Sequence, residues 1–145
     1  MNSEASENHR FVLAVAAAWS SLERQLDGSL SALRGVSFAE YRLLRALSEA
    51  PNGQASRIDA ARSIGLTASG VTRALRPLEK IGLVSTAKHK RDARLAMAKL
   101  TPAGQALINE AAGIVDETVE TFLKRAPRLS TKLSSVSSLL DSLRT

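Results

Sequence analysis

Arg73 and Arg76 stand three positions apart, just behind the small, hydroxyl-rich run Thr67-Ala68-Ser69-Gly70. A guanidinium is a rigid fork of donors. It pairs bidentately with the acceptor edge of guanine or with a phosphate. Hydroxyls at Thr67, Ser69 and Thr72 can bond phosphates or bases, and the small residues Ala68, Ser69 and Gly70 let a helix start approach a duplex closely. A second cluster, Lys88-His89-Lys90-Arg91-Asp92-Ala93-Arg94, is basic apart from Asp92 and Ala93. A simple role for Asp92 is to pair with a neighbouring arginine and fix its direction. Arg57, near a helix start, is a further candidate phosphate contact. Lys88, Lys90 and Arg91 suit phosphates better than base edges.

Other chemistries find no residues to carry them. The chain has no cysteine, which excludes disulfides, thiolate metal sites and thiol nucleophiles. His9 and His89 lie 80 positions apart, and no zinc-ligand spacing, phosphate-binding glycine loop or Gly-x-Ser-x-Gly elbow occurs. The sequence therefore predicts no enzyme, no metal and no cofactor. Aromatic residues make up 3%, too few for a platform that stacks single-stranded bases.

The charge points the same way as the motifs. Of the net +6, residues 57–100 hold ten basic and three acidic side chains, a balance of +7, so the two flanks together carry −1. A basic segment between neutral flanks is an electrostatic footprint for a polyanion. The longest apolar run, Phe11 to Trp19, is nine residues and too short to span a bilayer. Glu4 and Glu7 precede it against Arg10 alone, the wrong balance for a signal peptide. The expectation is a cytoplasmic protein of one domain, with no membrane partner.

The elements that must position these residues can be read from periodicity and caps. Residues 1–8 read as a mobile N-terminus. Phe11, Val15, Trp19, Leu22, Leu26, Leu30 and Leu33 recur at helical spacing up to a stop at Gly35, with Gly28 a candidate kink. Ser37-Phe38-Ala39-Glu40 is a capping box, and Ala50-Pro51-Asn52-Gly53 is a breaker. A short helix runs from its cap Ser56 through Ile58, Ala61 and Ile64 to Gly65. Thr67 caps the next, with Val71, Leu75 and Leu78 inward, a bend expected at Pro77, and an end at Gly82. Leu83 to Thr86 and Arg94 to Leu100 read as strands around the basic tip. Thr101-Pro102 opens a helix to about Ala126, and Ser130 to Leu143 is the last.

Helix, short turn, capped helix and hairpin are the order of a winged helix-turn-helix, in which the second helix enters the major groove and the hairpin tip reaches the adjacent minor groove. The fold expected is mainly α with a small β-hairpin wing. The run from Ile64-Gly65-Leu66-Thr67 through Val71-Thr72-Arg73 and Leu78-Glu79 to Gly82-Leu83-Val84, then Asp92-Ala93-Arg94, then Leu100-Thr101-Pro102-Ala103-Gly104, resembles the MarR family of bacterial transcription regulators. The resemblance extends over about residues 9 to 143. It implies a homodimeric regulator, most often a repressor, on a palindromic double-stranded operator, and leaves open release by a small-molecule effector.

On that resemblance, 9–145 is a single domain. Residues 37–100 form its winged helix-turn-helix, and 9–35 and 102–145 are dimerisation helices. Phe11, Val15, Leu22, Leu133, Val136, Leu139 and Leu140 then fall at the dimer interface. Arg94 enters the minor groove, and Asp92 buttresses it. Trp19, Tyr41 and Arg42 lie near an effector pocket between the dimer helices and the winged lobe, although Trp19 and Tyr41, on apolar stripes, read first as core or interface. Two features depart from the pattern: Ala93 stands where many members carry a second arginine, and the absence of cysteine excludes thiol-based sensing. Two other functions compete, a winged-helix interaction or sensor module without specific DNA binding, and a nonspecific nucleoid-type binder. The +7 segment and the Asp92/Arg94 pair argue against the first. The ratio of operator to random-DNA affinity decides the second.

Overall fold

The computed structural model describes residues 6–88, 91 and 96–144. Helix α1 spans Glu7–Arg34 and α2 spans Phe38–Glu49. Strand β1 (Gln54–Ser56) leads into α3 (Arg57–Ile64) and α4 (Ala68–Lys80). Strands β2 (Val84–Lys88) and β3 (Ala96–Leu100) follow, then α5 (Pro102–Leu123), the single turn α6 (Pro127–Ser130) and α7 (Leu133–Asp141). The architecture is the expected one, mainly helical with a small sheet.

Local chemistry sets most boundaries. Ser6 accepts the His9 amide, so α1 begins at Glu7 and the expected mobile stretch does not extend to residue 8. The helix continues unbroken through Gly28 to Gly35, whose φ of 71° no β-carbon would favour. At α2 the capping box is complete. Ser37 Oγ accepts from Glu40 N (3.1 Å) and Glu40 Oε1 from Ser37 N (2.9 Å). Asp27 of α1 adds a bond from the Phe38 amide at 2.7 Å, fastening the two helices at the start of α2.

The sheet has the order β1-β3-β2, antiparallel throughout. Ala55 opposes Ala98, and Thr86 opposes Ala98 from the other side. The hairpin was expected, but β1 was not. Three residues are too few for an alternating pattern, and their partner, β3, lies more than forty positions away. Pro77 does not interrupt α4, because Leu75 and Leu78 on either side both stay buried. The last helix is shorter than its apolar pattern suggested, and Pro127 opens α6 at its first position.

The core lies under the winged segment. Leu30 and Val36 meet Leu43, Leu44 and Leu47 of α2, Ala60, Ala61 and Ile64 of α3, Val71, Leu75 and Leu78 of α4, and Ile108 and Ala111 of α5. Ile58, expected on the inner face of α3, is instead exposed. Ala60, Ala61 and Ile64 share one helical face, and Ile58 lies about 200° around the axis from Ala60. Helix α5 is joined to this core by its lead-in sequence. Thr101 Oγ1 donates to the Gly82 carbonyl (2.6 Å) and accepts the Gly104 amide (3.1 Å), while Thr101 N donates to Leu83 O (3.1 Å). Gly104 lies so close on the Leu83 carbonyl that a β-carbon has no room.

Candidate nucleic-acid interface

The turn between α3 and α4 is built by two residues. Gly65 adopts φ 69°, and the Leu66 amide bonds back to Ala61 O at 3.0 Å, which closes α3. Thr67 then caps α4, its Oγ1 accepting the Gly70 amide at 3.0 Å. Burial of Val71, Leu75 and Leu78 fixes the rotation of α4. Ala68, Ser69, Arg73 and Arg76 are exposed on the opposite side, and Thr72 is half-buried. The structure thus brings all five predicted residues of this helix to one accessible face.

The face is electrostatically one-sided. The first turn of α4 holds no acidic residue. Its one carboxylate, Glu79, accepts a bond from Thr86 Oγ1 at 2.6 Å, which ties β2 to the helix. Among the described residues, neither Arg73 nor Arg76 makes an ion pair. Elsewhere Arg34 meets Glu110 (3.0 Å) and Arg45 meets Glu49 (2.8 Å). The Glu49 carboxylate, and after it the Tyr41 hydroxyl, hold the Arg45 guanidinium above its usual range, so its charge is permanent.

Arg57, the first residue of α3, is half-buried, and its Nε is buried with no hydrogen-bond partner among the described residues. Three cations outside the predicted set, Arg62, Lys80 and Lys99, are exposed in the same segment. Membership of the +7 balance was the one signal that could have marked Lys80 and Lys99, whereas Arg62 also reads as a phosphate candidate from its place on the helix before the turn. Lys90, Asp92 and Arg94, with His89 and Ala93, lie outside the described residues, as does the side chain of Lys88. Arg91 is described and exposed.

An open cleft of about 1650 Å³ lies between α2, α3, β3 and α5. Phe38, Tyr41 and Arg42 line it, with Lys99 and Asp116 among the charged groups. Trp19 does not reach the cleft. Its ring stands 5.7 Å from that of Phe38, which lies 6.0 Å from Tyr41, so three aromatic rings run from α1 to the cleft. The residues expected at a dimer interface form uncovered stripes. Phe11 is 57% exposed and Leu139 70%; Val15, Leu133 and Leu140 are exposed, Leu22 and Val136 half-buried. Among the described residues, no helix is long and apolar enough to cross a membrane, and no group of three or more His, Cys, Asp or Glu could hold a metal.

A basic second helix with no acidic residue in its first turn, set on a Gly-Leu-Thr turn and followed by a hairpin, is now in place. Residues 34–95 match the MarR family. The match takes in α2 to α4 and the hairpin's first strand, the segment that carries the predicted DNA-contacting residues. No curated protein sequence matches the chain. The MarR likeness in solved structures runs nearly end to end. BldR, a transcriptional regulator from Sulfolobus solfataricus, is 23% identical with a TM-score of 0.80, over 94% of this chain and 96% of that one. Sco3205, a MarR family regulator from Streptomyces coelicolor solved in complex with DNA, is 23% identical with a TM-score of 0.79, over 97% and 90%. The MarR family protein Rv2887 from Mycobacterium tuberculosis, solved with salicylic acid, is 26% identical with a TM-score of 0.71, over 96% and 99%. The winged-helix MarR fold therefore extends beyond the matched segment into the terminal helices.

Proposed function

We propose that the protein is a MarR-type transcriptional regulator that binds a palindromic double-stranded operator as a homodimer, represses from it, and is released when a small molecule enters the cleft. The observation that carries this reading is the outward face of α4, where Arg73 and Arg76 stand without ion-pair partners among the described residues, beside small and hydroxylic residues. Such a face suits major-groove insertion, with Arg57 and the wing cations Lys88, Lys90, Arg91 and Arg94 on phosphates and in the minor groove. Asp92 directs Arg94.

The uncovered stripes of α1 and α7 support the homodimer, since a second copy offers the same stripes in return. Pairing two recognition helices on two half-sites multiplies affinity through effective concentration. Release then follows from geometry. A ligand in the cleft contacts α2, α3 and α5 together, so it alters the spacing of the paired α4 helices and takes one half-site out of register. The structures of Sco3205 with DNA and of Rv2887 with salicylic acid support both halves of this reading.

Fluorescence anisotropy on the gene's own upstream DNA and on random duplex, across a salt series, tests the proposal. The expected result is binding to the upstream site at least a thousandfold tighter than to random DNA, with a steep salt slope. Equal binding to both sequences would leave a nonspecific binder, and no binding at low salt would leave an interaction module. Trp19 is the only tryptophan. Through its contact with Phe38, its emission reports occupancy of the cleft.

A further inference from the structure

The groups at the start of α4 differ in what they have left to offer. Thr67 Oγ1 accepts the Gly70 amide and keeps its proton to donate to a phosphate. Thr72 Oγ1 donates to the Ala68 carbonyl at 3.1 Å, so its proton is committed to its own helix and its γ-methyl is the branch left over. Ala68, four positions earlier, is exposed and ends in a methyl group. Residues four apart sit one above the other on a helix, so Ala68 and Thr72 make a short apolar row. Ser69 and Arg73, also four apart and both exposed, make a polar row beside it.

The composition of α4 narrows what these rows can read. Adenine is read in the major groove by Asn or Gln, and the cytosine amino group by a carboxylate. The helix Ala68–Lys80 contains no Asn, Gln or Asp, and its Glu79 is bonded to Thr86. The Ser69 hydroxyl can donate or accept and so distinguishes bases poorly, which leaves two discriminating signatures for this surface. They are the 5-methyl group, which only thymine carries, and the paired O6 and N7 acceptors of guanine.

We propose that α4 discriminates bases through thymine methyls and guanine alone: Ala68 and Thr72 pack on the methyl of a thymine, and Arg73 forks onto a guanine in the same half-site. Thr72 is then a specificity residue that acts through its methyl and not its hydroxyl. The inference rests on the DNA-reading function proposed above, and the test separates the two.

The full chain is used to select binding sites from a random duplex pool. Each selected thymine is then replaced by deoxyuridine, which pairs identically and lacks only the methyl. A half-site containing thymine and guanine is expected. Removing one methyl per half-site should weaken binding about fourfold each, the weight of one buried methyl group. Thr72→Ser, which keeps the hydroxyl, should lose much of the preference for thymine over deoxyuridine, and Thr72→Ser with Ala68→Gly should lose the rest. Thr72→Val, which keeps a methyl and the β-branch, should retain the preference. Indifference of the wild-type protein to every deoxyuridine, or a Thr72→Ser protein that prefers thymine as strongly as the wild type, overturns the inference and leaves the DNA-reading function standing. A pool with no enriched sequence overturns that function and the inference with it.

Discussion

Residues 57–100 and the rest of the chain differ in charge balance and in apolar exposure. In residues 57–100, Arg57, Arg62, Arg73, Arg76, Lys80 and Lys99 make no ion pair among the described residues. Outside it, Arg34, Arg45 and Arg144 lie against Glu110, Glu49 and Asp141, most other cations are likewise unpaired among the described residues, and the difference lies in the balance: ten basic side chains face eleven acidic ones there, against ten and three in residues 57–100. Apolar exposure runs the other way. The winged segment shows single exposed residues, Ile58, Leu66 and Ile81, whereas α1 and α7 show stripes. The two surfaces have different costs. A solvated guanidinium loses nothing while it waits for a phosphate. An exposed apolar stripe forfeits about 25 cal/mol for every Å² left in water. On the proposed function, DNA is therefore an optional partner and the second copy an obligatory one.

The largest effect should come from charging the apolar stripe. Leu139→Glu or Leu22→Asp would bury a charge between two copies, so monomers or aggregates are expected by light scattering. Operator affinity should fall about 10²- to 10⁴-fold with the loss of the linked half-site. A stable, well-folded dimer of either variant would show that the interface lies elsewhere. Next comes the join between the two regions. Gly104→Ala places a methyl group against the Leu83 carbonyl, and overpacking of this kind costs about 1–3 kcal/mol. Denaturant unfolding should register that loss, and unchanged stability would show that α5 slides freely on the winged lobe. At the wing, Arg94→Ala should weaken operator binding by about 1–3 kcal/mol without altering stability. Unchanged affinity would remove the minor-groove role assigned to Arg94 by resemblance.

The parts of the fold legible from sequence were those decided locally. The capping box at Ser37, the caps at Ser56, Thr67 and Thr101, and the positive-φ glycines 35 and 65 act within one helical turn, so their chemistry is written in adjacent residues. What was not legible depended on distant partners. Strand β1 exists because β3 offers an edge. Asp27 caps α2 from another helix, eleven residues away. Ile58 read as core because an apolar residue near a helix start has two faces open to it, and only packing chooses. The site divides in the same way. The basic face of α4 followed from cap, spacing and charge. The absence of partners for its arginines could not follow, because it depends on where every carboxylate lands. The same holds for the cleft, which Tyr41 and Arg42 line and Trp19 does not.

The smallest effects sharpen the comparison most, because they set a paired arginine against an unpaired one. Arg45 and Glu49 form an exposed i, i+4 pair. Arg45→Ala should therefore cost about 0.3–0.5 kcal/mol of stability and leave the salt dependence of DNA binding unchanged. Arg76→Ala removes a cation with no partner to lose, so stability should hold to within about 0.5 kcal/mol. Its cost should appear on DNA instead. If Arg76 contacts phosphate, affinity falls by a similar factor on every sequence, and the slope of log affinity against log salt flattens by about 1. If it reads a base, the loss is confined to the operator. Should Arg76→Ala destabilise the fold and spare DNA binding, its charge would be structural, and the contrast between the two regions would fail at the position where it is simplest to test.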